Sequence, residues 1–213
     1  MIIEGKKINF LGDSITEGAG TSSPDHIYFN VMKNIYHLAE ARCYGISGTR
    51  LARQRKPSEN ERYDLDFCQR APQMDDDADI IVVFGGTNDY GHGDAPFGTP
   101  EDRTPETFIG ACHFLMRELI EKYCGKQIVF MTPLHRTDDT QPRFDGHVLS
   151  DFVDAIKEIA RQYSIPVLDL FAISGIQPNI EVLREKYAPD GLHPNDAGNA
   201  LIAQRLAHFL MTF

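Results

Sequence analysis

The chain has little that would take it into a membrane, onto a nucleic acid or around a structural metal. Nowhere in its 213 residues is there the run of ~18 uninterrupted apolar positions that a bilayer span requires. The N-terminal MIIEGKKINFLGDS has no basic segment followed by a long apolar run and a small-residue cleavage site, so no secretory signal, no membrane partner and a cytoplasmic location are expected. Positive charge is scarce: 21 Lys and Arg face 31 Asp and Glu, a formal net charge of −10. That balance excludes a surface built to grip phosphate backbones nonspecifically, and no nucleic-acid partner is expected. The four cysteines, Cys43, Cys68, Cys112 and Cys124, are widely spaced, with no C-x-x-C pair and no Cys/His cluster at zinc spacing. They read as free thiols partly buried in the core, and neither a disulfide framework nor a metal site is expected.

What is present is an ordinary globular composition, 42% hydrophobic and 24% charged. The length suits one domain spanning residues 1–213, large enough to bury its own core. Short runs rich in Ile, Val and Phe recur at 6–12, 42–46, 79–86, 127–133 and 166–170. They are nearly continuous rather than alternating, the pattern of parallel strands covered on both faces. Helical spacing fills the gaps. Phe108, Cys112, Leu115, Met116, Leu119, Ile120 and Tyr123 recur every three or four residues and stop at Gly125. Phe152, Val153, Ile156, Ile159, Ala160 and Tyr163 repeat the pattern behind Ser150, a candidate N-cap. Residues 27–41 and a segment from about Pro194 to Leu210 complete the set. The stretch 51–77 is charged and irregular and reads as a surface excursion with a short helix.

Strand and helix alternate throughout, which predicts an α/β fold, a doubly wound sheet of about five parallel strands with helices on both faces. In such sheets ligands bind beyond the carboxyl ends of the strands. Ser14, in GDSITEG, follows the first strand; GISGTR (45–50) follows the second; FGGTNDYG (84–91) follows the third; and DGLHPNDAG (190–198) precedes the last helix. Alone, Ser14 is an N-cap or a turn hydroxyl as readily as a nucleophile. Alone, Asp190-x-x-His193 is an exposed turn. Together the strings offer what ester cleavage needs: a nucleophile, a base with a carboxylate to orient it, and donors for the oxyanion in the Ser14 amide, the Gly48 amide and the Asn88 side chain.

The set resembles the SGNH/GDSL hydrolases. GDSITEG is similar to the block that carries the family's nucleophile, SGT to the block with the oxyanion glycine, GGTND to the block with the oxyanion asparagine, and DGLHPNDAG to the block with the acid and base. All four stand in the family's order, with Ile15 where a leucine is common. The resemblance implies a flavodoxin-like three-layer α/β/α sandwich, a Ser14–His193–Asp190 triad, and Ser14, Gly48 and Asn88 as the oxyanion hole. The implied reaction is hydrolysis of a small-molecule carboxylic ester through an acyl-enzyme, without metal or organic cofactor.

The substrate is less legible. The segment 90–107, YGHGDAPFGTPEDRTPET, should overhang the site and is polar. It therefore suits short acyl groups such as acetyl on a sugar or another small polar alcohol, with lipid acylhydrolase, lysophospholipase or arylesterase activity as the alternative. Asp13, Arg50, His135 and Arg136 stand at strand ends as candidate substrate contacts, and His92 and Asp94 in the overhanging loop on similar terms. For each, a salt bridge or a loop-bracing bond is the competing role. His26, His37, His113, His147 and His208 read as surface or helix-face residues. The rival of another class is a non-catalytic flavodoxin-like module holding a phosphate at GDSITEGAG, which leaves Asn88, Asp190 and His193 without a purpose; a pseudoenzyme that binds glycans without cleaving them is expected to lose one of those side chains, and none is lost.

Overall fold

The computed structural model describes residues 1–213. Five strands form one sheet: β1 (Lys7–Gly12), β2 (Glu40–Gly45), β3 (Ile80–Phe84), β4 (Gln127–Met131) and β5 (Val167–Leu168). Every pairing is parallel, in the order β2-β1-β3-β4-β5. This is the flavodoxin-type order, with its switch point between β1 and β3. The helices are α1 (Ser14–Glu17), α2 (Tyr28–Tyr36), α3 (Phe67–Arg70), α4 (Thr87–Gly91), α5 (Phe108–Lys122), α6 (Leu149–Gln162), α7 (Leu170–Ile173), α8 (Glu181–Tyr187) and α9 (Asp196–Leu210).

The near-continuous apolar strands are explained by the two cores. Ile8, Phe10, Ile80, Val82, Phe84, Val129 and Met131 point to one face, against α2 and α9. Leu11, Ile81, Val83, Ile128 and Phe130 point to the other, against α3, α5 and α6. Successive side chains of a strand alternate faces, and here both faces are dry, so no polar alternation survives. Asn9 is the buried exception; its side-chain amide donates to the Asp75 carbonyl (2.8 Å) and lies 3.1 Å from the Tyr123 hydroxyl.

Several boundaries differ from the sequence expectation for local reasons. The first long helix stops at Tyr36 rather than 41, because His37 turns into the left-handed region (φ 55°) and the chain re-enters the sheet at Glu40. The helix expected to be capped by Ser150 starts earlier, with Val148 as N-cap and the Asp151 carboxylate accepting the Val148 amide at 3.0 Å. The last helix begins at Asp196, where the Asn195 side chain accepts the Gly198 amide, not at Pro194. β5 is cut to two residues because Asp169 leaves the strand to cap α7, its carboxylate accepting the Ala172 amide at 3.1 Å. The irregular 51–77 stretch does contain a short helix, α3, preceded by a 3₁₀ turn at Glu61–Asp64. It is more than a surface excursion, since Asp66, Phe67, Cys68 and Arg70 are buried. Cys68 and Cys112 are buried, Cys43 and Cys124 exposed, and all four are free thiols. No helix is long and apolar enough to cross a membrane.

Candidate active site

β1, β2 and β3 lie side by side, so the loops that leave their carboxyl ends share one edge of the sheet. Ser14 is the first residue of α1, directly after β1. Its neighbour Asp13 caps that helix, the carboxylate accepting the Ile15 amide at 3.0 Å. Across the edge, the loop before α9 brings in His193, whose Nε2 lies 3.0 Å from Ser14 Oγ. The other ring nitrogen, Nδ1, lies 2.7 Å from Asp190 Oδ2. Oδ1 of the same carboxylate accepts the Leu192 amide at 2.9 Å and the His193 amide at 2.7 Å. Burial pushes the Asp190 carboxyl up, but the two amides and the His193 ring outweigh it and hold the group below its usual range. Nδ1 facing an ionised carboxylate carries the proton, which leaves Nε2 as an acceptor toward Ser14.

The loop holding His193 is fixed from three sides. Gly20 (φ +90°) backs onto it so closely that a Cβ there would sit 2.6 Å from the Pro194 carbonyl oxygen. Fully buried Asn199 donates to that carbonyl at 2.8 Å and accepts the Tyr28 amide at 3.1 Å, tying the loop to α2. From the β4 side, the Thr137 amide donates to the Gly191 carbonyl at 3.0 Å.

The β2 and β3 loops carry the candidate donors. Gly48 has φ +75°, and a Cβ on it would lie 2.5 Å from the Tyr63 ring. The requirement for glycine at this position is therefore both steric, at Tyr63, and conformational. Asn88 lies in α4, directly after β3; one hydrogen of its amide goes to the Thr49 carbonyl at 2.9 Å. The Ser14 and Gly48 amides have no acceptor in the protein. Asp89 locks the β2 and β3 loops together, accepting the Leu51 and Ala52 amides at 2.9 Å each. Burial pushes its pKa up to about 6. Arg70 joins the ends of β1 and β2, donating to the Gly12 carbonyl at 3.1 Å, to Thr49 Oγ1 at 2.9 Å and to the Tyr44 carbonyl. Burial pulls its pKa down to about 10, with Asp13 the first of the charges opposing that. Asp89, Arg70, Tyr63 and Asn199 escaped the sequence reading. For Asp89 and Asn199 the signal was their position beside the motif residues, and for Arg70 and Tyr63 there was none.

The remaining candidates are tied to other parts of the chain. Asp13 is 2% exposed, and burial raises its pKa to about 6 against the opposing Ile15 amide bond. Arg50 is 3% exposed; it donates to the Tyr63 carbonyl at 2.9 Å and to His92 Nδ1 at 2.9 Å. His135 pairs with Asp139 and packs on Phe171 with ring centroids 3.6 Å apart. Arg136 grips Asp138 and donates to the Thr87 carbonyl at 3.1 Å. Asp94 accepts the Arg55 and Lys56 amides at 2.7 and 2.9 Å. In these six the bonds are of the bracing kind. Of the other histidines, His113 is buried within α5, its Nδ1 3.0 Å from the Tyr163 hydroxyl. No group of three or more His, Cys, Asp or Glu side chains converges in a metal-holding arrangement.

The start of the 90–107 segment borders Asn88, whose carbonyl accepts the His92 and Gly93 amides at 3.1 and 2.8 Å. Beyond it, the Pro96 and Phe97 carbonyls accept the Phe108 and Ile109 amides at 3.0 Å each, and Phe97 stacks on His147 at 3.9 Å. Beside His92 opens a cavity of ≈ 280 Å³ lined by Tyr90, Asp138, Gln141, Arg143 and the exposed Phe144 among others.

A model of the GDSL-like lipase/acylhydrolase family matches residues 10–201. Among solved structures, one is 30% identical, with a TM-score of 0.89 and coverage of 100% of this chain and 99% of that one. A protein from Lactobacillus plantarum is 29% identical over 99% of this chain and 98% of its own, with a TM-score of 0.84. A lipase/acylhydrolase from Enterococcus faecalis shares the fold, at 19% identity, coverage of 97% and 96%, and a TM-score of 0.66. No curated protein matches the chain.

Proposed function

Because the chain belongs to the GDSL-like lipase/acylhydrolase family, we propose that it is a serine esterase that removes short acyl groups, acetyl foremost, from a carbohydrate or another small polar alcohol. The observation that carries this reading is the unbroken chain from Ser14 Oγ through His193 to Asp190, 3.0 and 2.7 Å. In it His193 Nε2 takes the Ser14 proton as Oγ attacks the ester carbonyl. The oxyanion is met by the Ser14 and Gly48 amides and by the Asn88 amide hydrogen not engaged by Thr49. His193 then returns the proton to the departing alcohol, the C–O bond breaks, and acetyl remains on Ser14. Water, activated by the same nitrogen, repeats the sequence and frees the acid. Asp190 keeps its charge and stabilises the imidazolium formed twice per cycle. Every proton has a donor and an acceptor among these residues, so this reading calls for no metal or organic cofactor.

The preference for a short acyl group and a polar alcohol is supported by the surroundings. The ≈ 280 Å³ cavity beside His92 is walled by Asp138, Gln141 and Arg143 with one open aromatic face, Phe144. A mainly apolar groove, walled by Val31, Ile35 and Leu201 among others, lies between α2 and α9. Neither lining includes Ser14, Gly48, Asn88, Asp190 or His193, but the polar cavity adjoins the site through His92, whose Nε2 lies 3.1 Å from Asn88 Oδ1. A hydrolysis panel crossing acyl length with alcohol type tests the reading. Rates are expected to fall steeply beyond butyryl and to be highest on acetylated sugars; rates that climb with acyl length point instead to a lipid acylhydrolase.

A further inference from the structure

Asn88 can serve as an oxyanion donor only if its NH2, not its carbonyl oxygen, faces the developing oxyanion, and a side-chain amide does not settle that by itself. The two orientations have nearly the same shape, so hydrogen bonds must choose between them. Here one hydrogen of the NH2 donates to the Thr49 carbonyl at 2.9 Å, while Asn88 Oδ1 lies 3.1 Å from His92 Nε2. His92 supports Asn88 only if Nε2 carries the proton. Arg50 Nη2 lies 2.9 Å from His92 Nδ1, and a guanidinium can only donate, so Nδ1 is the acceptor and the proton stands on Nε2. Arg50 is itself pinned by its bond to the Tyr63 carbonyl at 2.9 Å and by Asp64 at 3.8 Å.

We propose that Arg50 and His92 are positioning residues: the guanidinium sets the His92 tautomer, and the ring's Nε2–H holds the Asn88 amide with its second hydrogen facing the developing oxyanion. Turning the amide over would set its NH2 against the Nε2–H and its oxygen against the Thr49 oxygen, two repulsions for two lost bonds. Burial of the ring nitrogens, followed by the Arg50 and Arg136 charges, pushes the His92 pKa down to about 4, so the ring stays neutral where an ester hydrolase with a histidine base works. Although both nitrogens turn inward, His92 stands at the surface, where its replacement leaves the cores intact. The relay rests on Asn88 being an oxyanion donor, and the test separates the two claims.

His92→Phe, His92→Gln, Asn88→Ala and the Asn88→Ala/His92→Phe pair are compared on 4-nitrophenyl acetate, with kcat and KM resolved and folding checked by circular dichroism. His92→Phe should lower kcat about five- to ten-fold with KM unchanged, the size of one lost hydrogen bond realised in the transition state. His92→Gln should recover most of that, since its amide can accept from Arg50 and donate to Asn88. Asn88→Ala should cost on the order of 10²-fold in kcat. In that background His92→Phe should change kcat less than about two-fold, because a residue acting only through Asn88 has nothing left to act on. A silent His92→Phe, or a loss equally large with and without Asn88, overturns the relay while leaving the esterase reading standing. A silent Asn88→Ala overturns the oxyanion role, and the relay with it.

Discussion

Replacing Asp190 by asparagine changes one atom and should nearly abolish turnover. The Asp190 carboxylate divides its work: Oδ1 accepts two backbone amides, Leu192 at 2.9 Å and His193 at 2.7 Å, and Oδ2 faces His193 Nδ1 at 2.7 Å. In Asp190→Asn the side-chain oxygen must stay with the two amides, since turning it away would leave two N–H groups facing an NH2. The amide nitrogen is therefore delivered to His193 Nδ1, where it donates and drives the ring proton to Nε2. Nε2–H then points at Ser14 Oγ, and the base has become a donor. Loss of the orienting carboxylate in serine triads costs on the order of 10⁴-fold in kcat, about 5.5 kcal/mol of barrier. Both backbone bonds survive, so the melting temperature should stay within about 3 °C of wild type, a change below about 1 kcal/mol for a chain this size. Initial rates on 4-nitrophenyl acetate at pH 8, with a thermal melt on the same samples, read both. Asp190→Asn retaining more than a tenth of wild-type kcat would show that the carboxylate does not set the His193 tautomer, and the reasoning fails.

Two further outcomes follow from Asp13 and Gly48. Burial raises the Asp13 pKa to about 6 in the folded chain, so the folded state binds this proton more tightly than the unfolded state does. The resulting stabilisation is full at low pH and is lost as pH rises from about 4 to about 6. Asp13→Asn removes the ionisation while an oxygen remains to accept the Ile15 amide; relative to wild type the variant should gain up to about 3 kcal/mol on going from pH 4 to pH 8 in urea titrations. An equal difference at both pH values refutes a buried ionisation at this position. Gly48→Ala places a methyl group 2.5 Å from the Tyr63 ring on backbone at φ +75°, and should lower the melting temperature by about 2–8 °C, with part of it restored by Tyr63→Ala. A melt unchanged by Gly48→Ala means the loop has another conformation open to it.

The fold was legible because both faces of the sheet are covered. Strands such as Ile80–Phe84 are apolar at every position, and the helical spacing of 108–123 lies between two such runs. What failed were boundaries set by single local bonds: the Asp169 cap that shortens β5, the left-handed turn at His37, and the Asp151 carboxylate that makes Val148 the cap. The meeting of Ser14 with Asp190 and His193 could be anticipated from the set of motifs and its likeness to the family's order, not from topology alone: Ser14 directly follows β1, whereas the Asp190–His193 loop follows α8 rather than a strand. Arg50 illustrates what could not be read. Its place after the second strand left a substrate contact and a bracing bond both open, and its bracing partners, Tyr63 and Asp64, come from a stretch with no periodicity to place them. Arg70 is hidden in the same way, a buried cation whose three acceptors, Gly12, Tyr44 and Thr49, lie 21 or more residues away along the chain.

The central claim, that Ser14 carries the acyl group, is tested most directly by quenching the enzyme in acid during turnover of 4-nitrophenyl acetate and mapping the added mass by peptide mass spectrometry. The account predicts one acetyl group, on Ser14, absent from Ser14→Ala, together with a loss of about 10⁴-fold or more in kcat for that variant. Acetyl found on another residue, or full turnover by Ser14→Ala, would contradict it.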